Sequence, residues 1–266
     1  MAEPAVRVDA LFIYPIKGCG GIAVDAARIV ARGFEHDRRW MVVDEAGVFV
    51  SQRTHPALAL VRVARAAPQL VLTAPGAPPL AIPLAHEEGP RVSVEVWSHR
   101  GEAVRHEAGS AWFSAYLGGA YRLVYMAEDH HRPIRPEHAR PGDIVSFADA
   151  YPFLVISRAS LDDLNRRLES PLPMDRFRPS IVIAGASPFA EDDYARVAIG
   201  EVAFRGSKRC DRCAVTTVDQ QTGVRGKEPL RTLATFRQQD SKVWFGMNLI
   251  HEGAGTLHVG DLVRPS

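Results

Sequence analysis

The sequence predicts a β-rich mixed α/β protein, a barrel-like β core with peripheral helices. Three observations carry this expectation. Short apolar runs that stop at Pro, Gly or Asp recur along the chain, and such runs read as strands bounded by turns. Helical periodicity is confined to about three places. Strands and helices do not alternate in a sustained way, which argues against a doubly wound parallel sheet.

In chain order, Val6 to Tyr14 is largely apolar and stops at Pro15. Trp40 to Val43, a turn over Asp44 to Gly47, and Val48 to Val50 read as a hairpin. Leu70 to Leu72 and Leu80 to Ile82 flank a Pro/Gly turn, and Val92, Val94 and Val96 alternate with polar residues, so one face is buried. Trp112, Phe113, Tyr116 and Leu117 share a helical face closed by Gly118-Gly119. Trp40 and Trp112 are expected in the core. Tyr121 to Met126 returns as a strand. Ala127 to Arg140 is mostly polar, with His130, His131 and His138 interleaved with Pro133 and Pro136. It reads as a linker or lid with solvated histidines.

In the second half, Ser160-Leu161-Asp162-Asp163 has the form of a capped helix start, with Leu161, Leu164 and Leu168 on one face. Ile181 to Ile183 is a short buried strand. Val197 to Ile199 and Val202 to Phe204 form a hairpin around Gly200-Glu201. Glu228-Pro229 opens a helix carrying Leu230, Leu233 and Phe236. Val243 to Ile250 and Leu257 to Val263 close the chain as strands.

The 266 residues suit one large domain or two modest ones. A hydrophobic share of 46% and a charged share of 24% are ordinary for a globular protein that buries its own core. A net charge of +1 gives no general pull toward nucleic acid or a membrane. The stretch Met1 to Val8 has no apolar signal core, and no run approaches the ~18 residues of a membrane helix. Three cysteines, an odd number, point to free thiols in a reducing cytoplasm.

The most informative stretch runs from Lys208 to Asp219, followed by Thr222-Gly223. It places Cys210 and Cys213 among Lys208, Arg209 and Arg212, and cations beside a thiol favour its thiolate. Val215 to Val218 reads as a strand and Asp219 to Gly223 as a turn. A Cys-x-x-Cys pair has four readings. A structural zinc site lacks its second pair of ligands. A thioredoxin-type dithiol should open a helix, not precede a strand. Two small buried side chains sit poorly among four charged neighbours. The fourth reading is one thiolate ligand for a metal held mainly by a bound anionic cofactor. Cations at strand ends suit the last: Lys17 in the Gly-rich Tyr14 to Gly21 loop, Arg38 before Trp40, and Arg178 before Pro179.

These stretches resemble the MOSC domain proteins that carry a MOSC N-terminal β-barrel domain, among them the mitochondrial amidoxime-reducing components and their bacterial relatives. The similar segments are Tyr14 to Lys17, Asp37 to Trp40, Asp149 to Leu154, Phe177 to Pro179, Arg212-Cys213 through Gly223, Lys227 to Leu230, Phe245-Gly246 and Val259 to Asp261. They span nearly the whole chain. The resemblance implies a MOSC-type β-barrel core over residues 126–265 and a β-rich N-terminal domain over 5–125. It implies a molybdenum cofactor, a pterin whose dithiolene holds molybdenum and whose tail is a phosphate. Cys213 is then the metal ligand. Lys17, Arg38, Asp149, Ala150, Tyr151, Arg178, Ser180, Asp211, Arg212 and Asn248 are cofactor contacts, and Asp219 positions water or orients its loop. The chain departs from the family pattern at Gly18, Tyr151 and Asp211 (serine expected), Ser180 (asparagine) and Arg39 (an aromatic). A carboxylate at 211 calls for neutralisation by Arg209 or Arg212.

The implied activity is reduction of small N-hydroxylated or N-oxide compounds. Some relatives carry an iron–sulfur domain after the equivalent of Ser266, so electrons are expected from a separate iron–sulfur or haem protein with its reductase. The alternative is a carrier of molybdenum cofactor or of sulfur, as a persulfide on Cys213 that Cys210 resolves. No nucleic-acid or membrane partner is expected.

Overall fold

The structure, a computed structural model, describes residues 5–266, so part of the Met1 to Val8 stretch lies outside the described residues. The first strand, Arg7–Ile13, alternates buried Val8, Leu11 and Ile13 with more exposed neighbours. It pairs antiparallel with Ile181–Ala184 on one side and Ile22–Val24 on the other. The same nine-stranded sheet continues through Phe153–Ser157, Lys242–His251, Val202–Asp211, Arg196–Ile199 and Val263–Pro265, with Gln238–Gln239 beside Lys242–His251. Its two ends approach each other. Arg7 bridges Leu262, Val8 N donates to Asp261 O at 2.8 Å, and Val263 N donates to Val6 O at 2.9 Å. The sheet therefore curls toward a barrel without closing, since a few backbone bonds and not a regular strand pair link these two strands. Phe153, Val155, Ile181, Phe204 and Leu249 fill one side of it.

Three smaller sheets complete the β content. Ala26–Val30 lies between Gly33–Phe34 and Gly255–His258. Trp40–Val43, Arg122–Tyr125, His99–His106 and Arg91–Val96 form a four-stranded antiparallel sheet. Arg62–Ala66, Gln69–Ala74 and Ala77–Pro83 form a meander. The helix Glu107–Leu117 presses Trp112 and Phe113 into a core shared with Trp40, Leu58 and Leu123, and Gly118 ends it at φ 70°. Two further α-helices are Arg158–Asn165 and Leu230–Arg237. No helix among the described residues is long and apolar enough to cross a membrane.

Strand pairing runs across the expected division at residue 125, as residues 7–13 pair with 181–184 and residues 26–30 with 255–258. The chain uses its first strands to cover edges that later strands leave open. The expected strand Leu257 to Val263 is two strands, Gly255–His258 and Val263–Pro265, parted by a turn with Gly260 at φ 94°. The second helix is capped by Ser157, whose Oγ accepts from Ser160 N at 3.0 Å.

The polar stretch 127–140 is no free linker. Ile134 is buried and His130 is 8% exposed. Arg132, 5% exposed, donates to the carbonyls of Ser146, Ala148 and Asp149 at 2.8, 2.5 and 3.0 Å. A guanidinium that finds backbone acceptors can be buried where composition alone says solvent. Arg132→Met is expected to cost about 1–3 kcal/mol for each carbonyl left unpaired, read as a lower urea midpoint with an unchanged slope. Unaltered stability would remove Arg132 as the anchor of the 146–149 turn.

Candidate functional site

The strand Arg7–Ile13 runs into Tyr14-Pro15-Ile16-Lys17, and the segment Arg38 to Trp40 lies alongside. Arg38 N donates to Tyr14 O, and Lys17 N to Trp40 O, each at 2.8 Å. These bonds fix Lys17 and Arg38 on neighbouring strand ends. From the other half of the chain, a 3-10 turn at Met174–Arg176 delivers Arg178 just before the strand Ile181–Ala184. Arg38 and Arg178 both take left-handed backbone conformations, at φ 48° and 54°. Their guanidinium carbons lie over the same ring, 4.5 and 4.3 Å from the centroid of Tyr14. The Tyr14 hydroxyl donates to Pro179 O at 3.1 Å. A Cβ at Gly21 would stand 2.5 Å from that ring, so only glycine leaves it room.

A cleft opens over this pair. Its lining includes Lys17, Arg38, Asp149, Ala150, Tyr151, Arg178, Ser180, Asp211, Arg212, Cys213 and Asn248, so eleven of the twelve candidate positions meet at one place, all but Asp219. Cys210 and Arg53 line it too. Asn248 Nδ2 donates to Lys208 O at 2.9 Å, tying together the two strands that carry the cysteine loop. Cys213 follows the end of Val202–Asp211 and precedes a 3-10 turn, Ala214–Thr217. That turn replaces the strand expected over Val215 to Val218. Thr216 N and Oγ1 both donate to Cys213 O, at 3.1 and 2.9 Å, and Thr217 Oγ1 donates to Ala214 O at 2.8 Å. Threonine hydroxyls that bond nearby carbonyls compete with strand pairing.

The charge balance of the cleft is uneven. Five cations (Lys17, Arg38, Arg53, Arg178 and Arg212) face two carboxylates, Asp149 and Asp211. Burial pulls the Lys17 ammonium down to about 8, although Asp149, with Oδ1 at 2.5 Å, pushes the other way. Burial alone would raise the Asp149 carboxyl, but Lys17, then Arg53 and Arg38, outweigh it and hold Asp149 well below the usual carboxylate range. Asp149 keeps 64% of its side-chain surface exposed, so it is deep in the protein yet open to the cleft. Arg38 is also paired, with Asp37 Oδ2 at 2.6 Å. Arg178 has no such partner: its Nη2 is buried without a hydrogen bond among the described residues, as is Arg212 Nε. Burial lowers the Arg178 guanidinium, with Arg38 adding to the effect.

The two thiols differ. Arg212 Nη1 donates to Cys210 Sγ at 2.9 Å, and Nη2 to Phe177 O at 2.7 Å. Even so, burial pushes the Cys210 thiol up. Cys213 Sγ accepts from Arg53 Nη1 at 3.5 Å. Neither expected cation neutralises Asp211, since Arg212 is engaged as above and Arg209 donates to Gln239 Oε1 at 2.6 Å.

Asp219 lies outside the cleft lining. Its Oδ1 accepts from Gln221 N, Thr222 N and Thr222 Oγ1, and its Oδ2 from Arg176 at 2.9 Å. It organises its loop, and through Arg176, which also donates to Thr216 O, it touches the cleft wall only indirectly. Arg39 turns away as well, donating to Met126 O and Glu128 Oε1. Arg53 is the residue the sequence analysis missed. It sits in the polar run Ser51 to His55 after an apolar run, the same pattern of a cation beyond a strand end that singled out Lys17 and Arg38.

Comparison with known proteins places the chain in a family. Residues 5–120 match the MOSC N-terminal beta barrel domain, and residues 142–264 match the MOSC domain. Human mitochondrial amidoxime-reducing component 1 is 37% identical over 96% of this chain and 82% of its own length. Bovine mitochondrial amidoxime reducing component 2 is 37% identical, again over 96% and 82%. The YUAD protein of Bacillus subtilis, a solved structure, aligns over 98% of this chain and 94% of its own, at 11% identity and a TM-score of 0.46. The chain belongs to the family of the mitochondrial amidoxime-reducing components, built from a MOSC N-terminal β-barrel domain followed by a MOSC domain.

Proposed function

We propose that this protein is a molybdenum-cofactor-dependent reductase of small N-hydroxylated or N-oxide compounds. The observation that carries the reading is the cleft itself: the half-buried Cys213 thiol lines a cationic cradle in which Arg178 has a buried N–H group unpaired among the described residues. A soft donor beside surplus positive charge suits a metal carried by an anionic organic group. The relatives' names supply the reaction class.

Lys17, Arg38 and Arg178 would hold the negative tail, and Cys213 would supply the protein's one metal ligand. The bound group supplies the two-electron chemistry. For an amidoxime, the N–O bond breaks, two electrons and two protons enter, and the oxygen leaves as water. We assign the electrons to a separate iron–sulfur or haem protein. Arg38 and Arg178, both set by strained backbone on one ring, orient the tail without rearrangement on binding. The carrier alternative needs Cys210 to attack a persulfide, and a thiol pushed up by burial is a poor nucleophile at neutral pH. For the setting we propose a reducing compartment, the cytoplasm, on the three unpaired thiols.

Two outcomes test this. Protein made in a host that synthesises molybdenum cofactor is expected to hold about one molybdenum per chain. Cys213→Ser should lose the metal and amidoxime reduction, while Cys210→Ser keeps most of both. Equal dependence on both cysteines would favour the carrier. The second test uses sulfate, which stays doubly charged near neutrality. The cofactor-free protein is expected to bind sulfate more weakly as pH rises through about 8, where Lys17 gives up its proton. Lys17→Gln should bind weakly throughout and lose that pH dependence. A flat profile in the unmodified protein would remove Lys17 from the cradle.

A further inference from the structure

We propose that Trp97 and Arg53 act together as a charge filter at the thiol side of the cleft, selecting N-oxygenated substrates that carry a carboxylate over those that carry a fixed positive charge. The inference rests on the reductase reading and adds a substrate class to it.

Trp97 is the starting point. Val96 pairs with His99 across the hairpin Arg91–Val96 and His99–His106, so Trp97 and Ser98 form a two-residue loop. Trp97 stands at φ 56°. Such loops favour Gly or Asn where φ is positive, and a bulky residue there is strained. Core packing does not account for it, because Trp97 is 40% exposed. What the ring does touch is specific. Its centroid is 5.1 Å from that of Phe49, and the Arg53 guanidinium carbon lies 4.5 Å from the Trp97 centroid and 5.8 Å from that of Phe49. Backbone bonds hold this group in register: Phe49 N donates to Glu95 O at 3.0 Å, and Glu95 N to Gly47 O at 2.8 Å. Arg225 Nη2 donates to the Gln52 and Arg53 carbonyls, pinning the main chain of Arg53.

The far end of this stack reaches the reacting centre, with Arg53 Nη1 at 3.5 Å from Cys213 Sγ. Arg53 makes no salt bridge among the described residues: Asp149, whose carboxyl feels its charge, is hydrogen-bonded to Lys17, and Glu95 to Arg100. An anion held by Lys17, Arg38 and Arg178 leaves the Arg53 charge over on the sulfur side. Stacking on Trp97 covers a face of the guanidinium, and with Nη1 on Cys213 Sγ it leaves Nε and Nη2 without a partner among the described residues, an edge that can pair with a carboxylate. Trp97 is thus a positioning residue and Arg53 the group that meets substrate.

The test is steady-state reduction of three benzamidoximes by metal-loaded protein with a reduced viologen dye as electron donor: the parent, a para-carboxylate and a para-trimethylammonium. The carboxylate is expected to exceed the trimethylammonium compound in kcat/KM by about tenfold or more at low salt, mainly through KM, with the ratio shrinking as salt is added. The ratio should fall toward one in Arg53→Gln and several-fold in Trp97→Ala, and should be largely retained in Trp97→Phe. A ratio near one in the unmodified protein, or the same ratio in Trp97→Ala, would overturn the filter. If loaded protein reduces none of the three, the reductase reading falls and the filter with it. Turnover of all three without charge preference sinks the filter alone.

Discussion

Two arginines that should repel each other rest on one buried phenol, and the rest of the molecule is arranged around that contact. Arg38 comes from the first half of the chain and Arg178 from the second, and each adopts a positive φ to place its guanidinium over Tyr14. Burial pushes the Tyr14 hydroxyl up to about 12, with both arginines partly offsetting it, so the ring remains a neutral phenol. Its quadrupole attracts both cations but does not neutralise them. Asp37, 3% exposed, balances Arg38. No carboxylate is hydrogen-bonded to Arg178 among the described residues, and its Nη2 has no partner there. A fold that holds an uncompensated cation in a cleft, at a cost in backbone strain, is arranged for an anion that arrives later.

That constraint explains why the early strands belong to the later sheet. Tyr14 directly follows Arg7–Ile13, which pairs with the strand Ile181–Ala184 that begins three residues after Arg178. The pairing sets the distance between the two halves of the cradle. The cysteine loop is fixed from a third direction by the pairing of Val202–Asp211 with Lys242–His251 and by the threonine bonds onto Cys213 O. The two sulfurs end in unlike settings. Cys210, half-buried, accepts from Arg212, whereas Cys213, also half-buried, accepts from Arg53.

Much of this was legible in the sequence because it depends on local chemistry. Lys17, Arg38 and Arg178 stand where apolar runs begin or end, and arginines at strand ends have few intramolecular partners. The cysteine pair was legible from its charged neighbours. Less legible were features decided by contacts distant in sequence. Nothing in Ala127 to Arg140 announces that Arg132 will gather three carbonyls and so fix Asp149. The run Val215 to Val218 looks like a strand until its threonine hydroxyls take nearby carbonyls. Asp219 resembles a catalytic carboxylate in its surroundings, yet its oxygens serve the 219–222 turn and Arg176. Arg53 escaped notice because its significance lies in Trp97 and Cys213, 44 and 160 residues away.

The most direct measurement is a crystal structure of protein purified from a host that makes molybdenum cofactor, with anomalous data collected at the molybdenum edge. The account predicts one anomalous peak beside Cys213 Sγ, and an anionic tail whose oxygens pair with the free Nη2 of Arg178 and with Arg38. A peak on Cys210, or a metal-bearing molecule in which Arg178 Nη2 still lacks a partner, would contradict it.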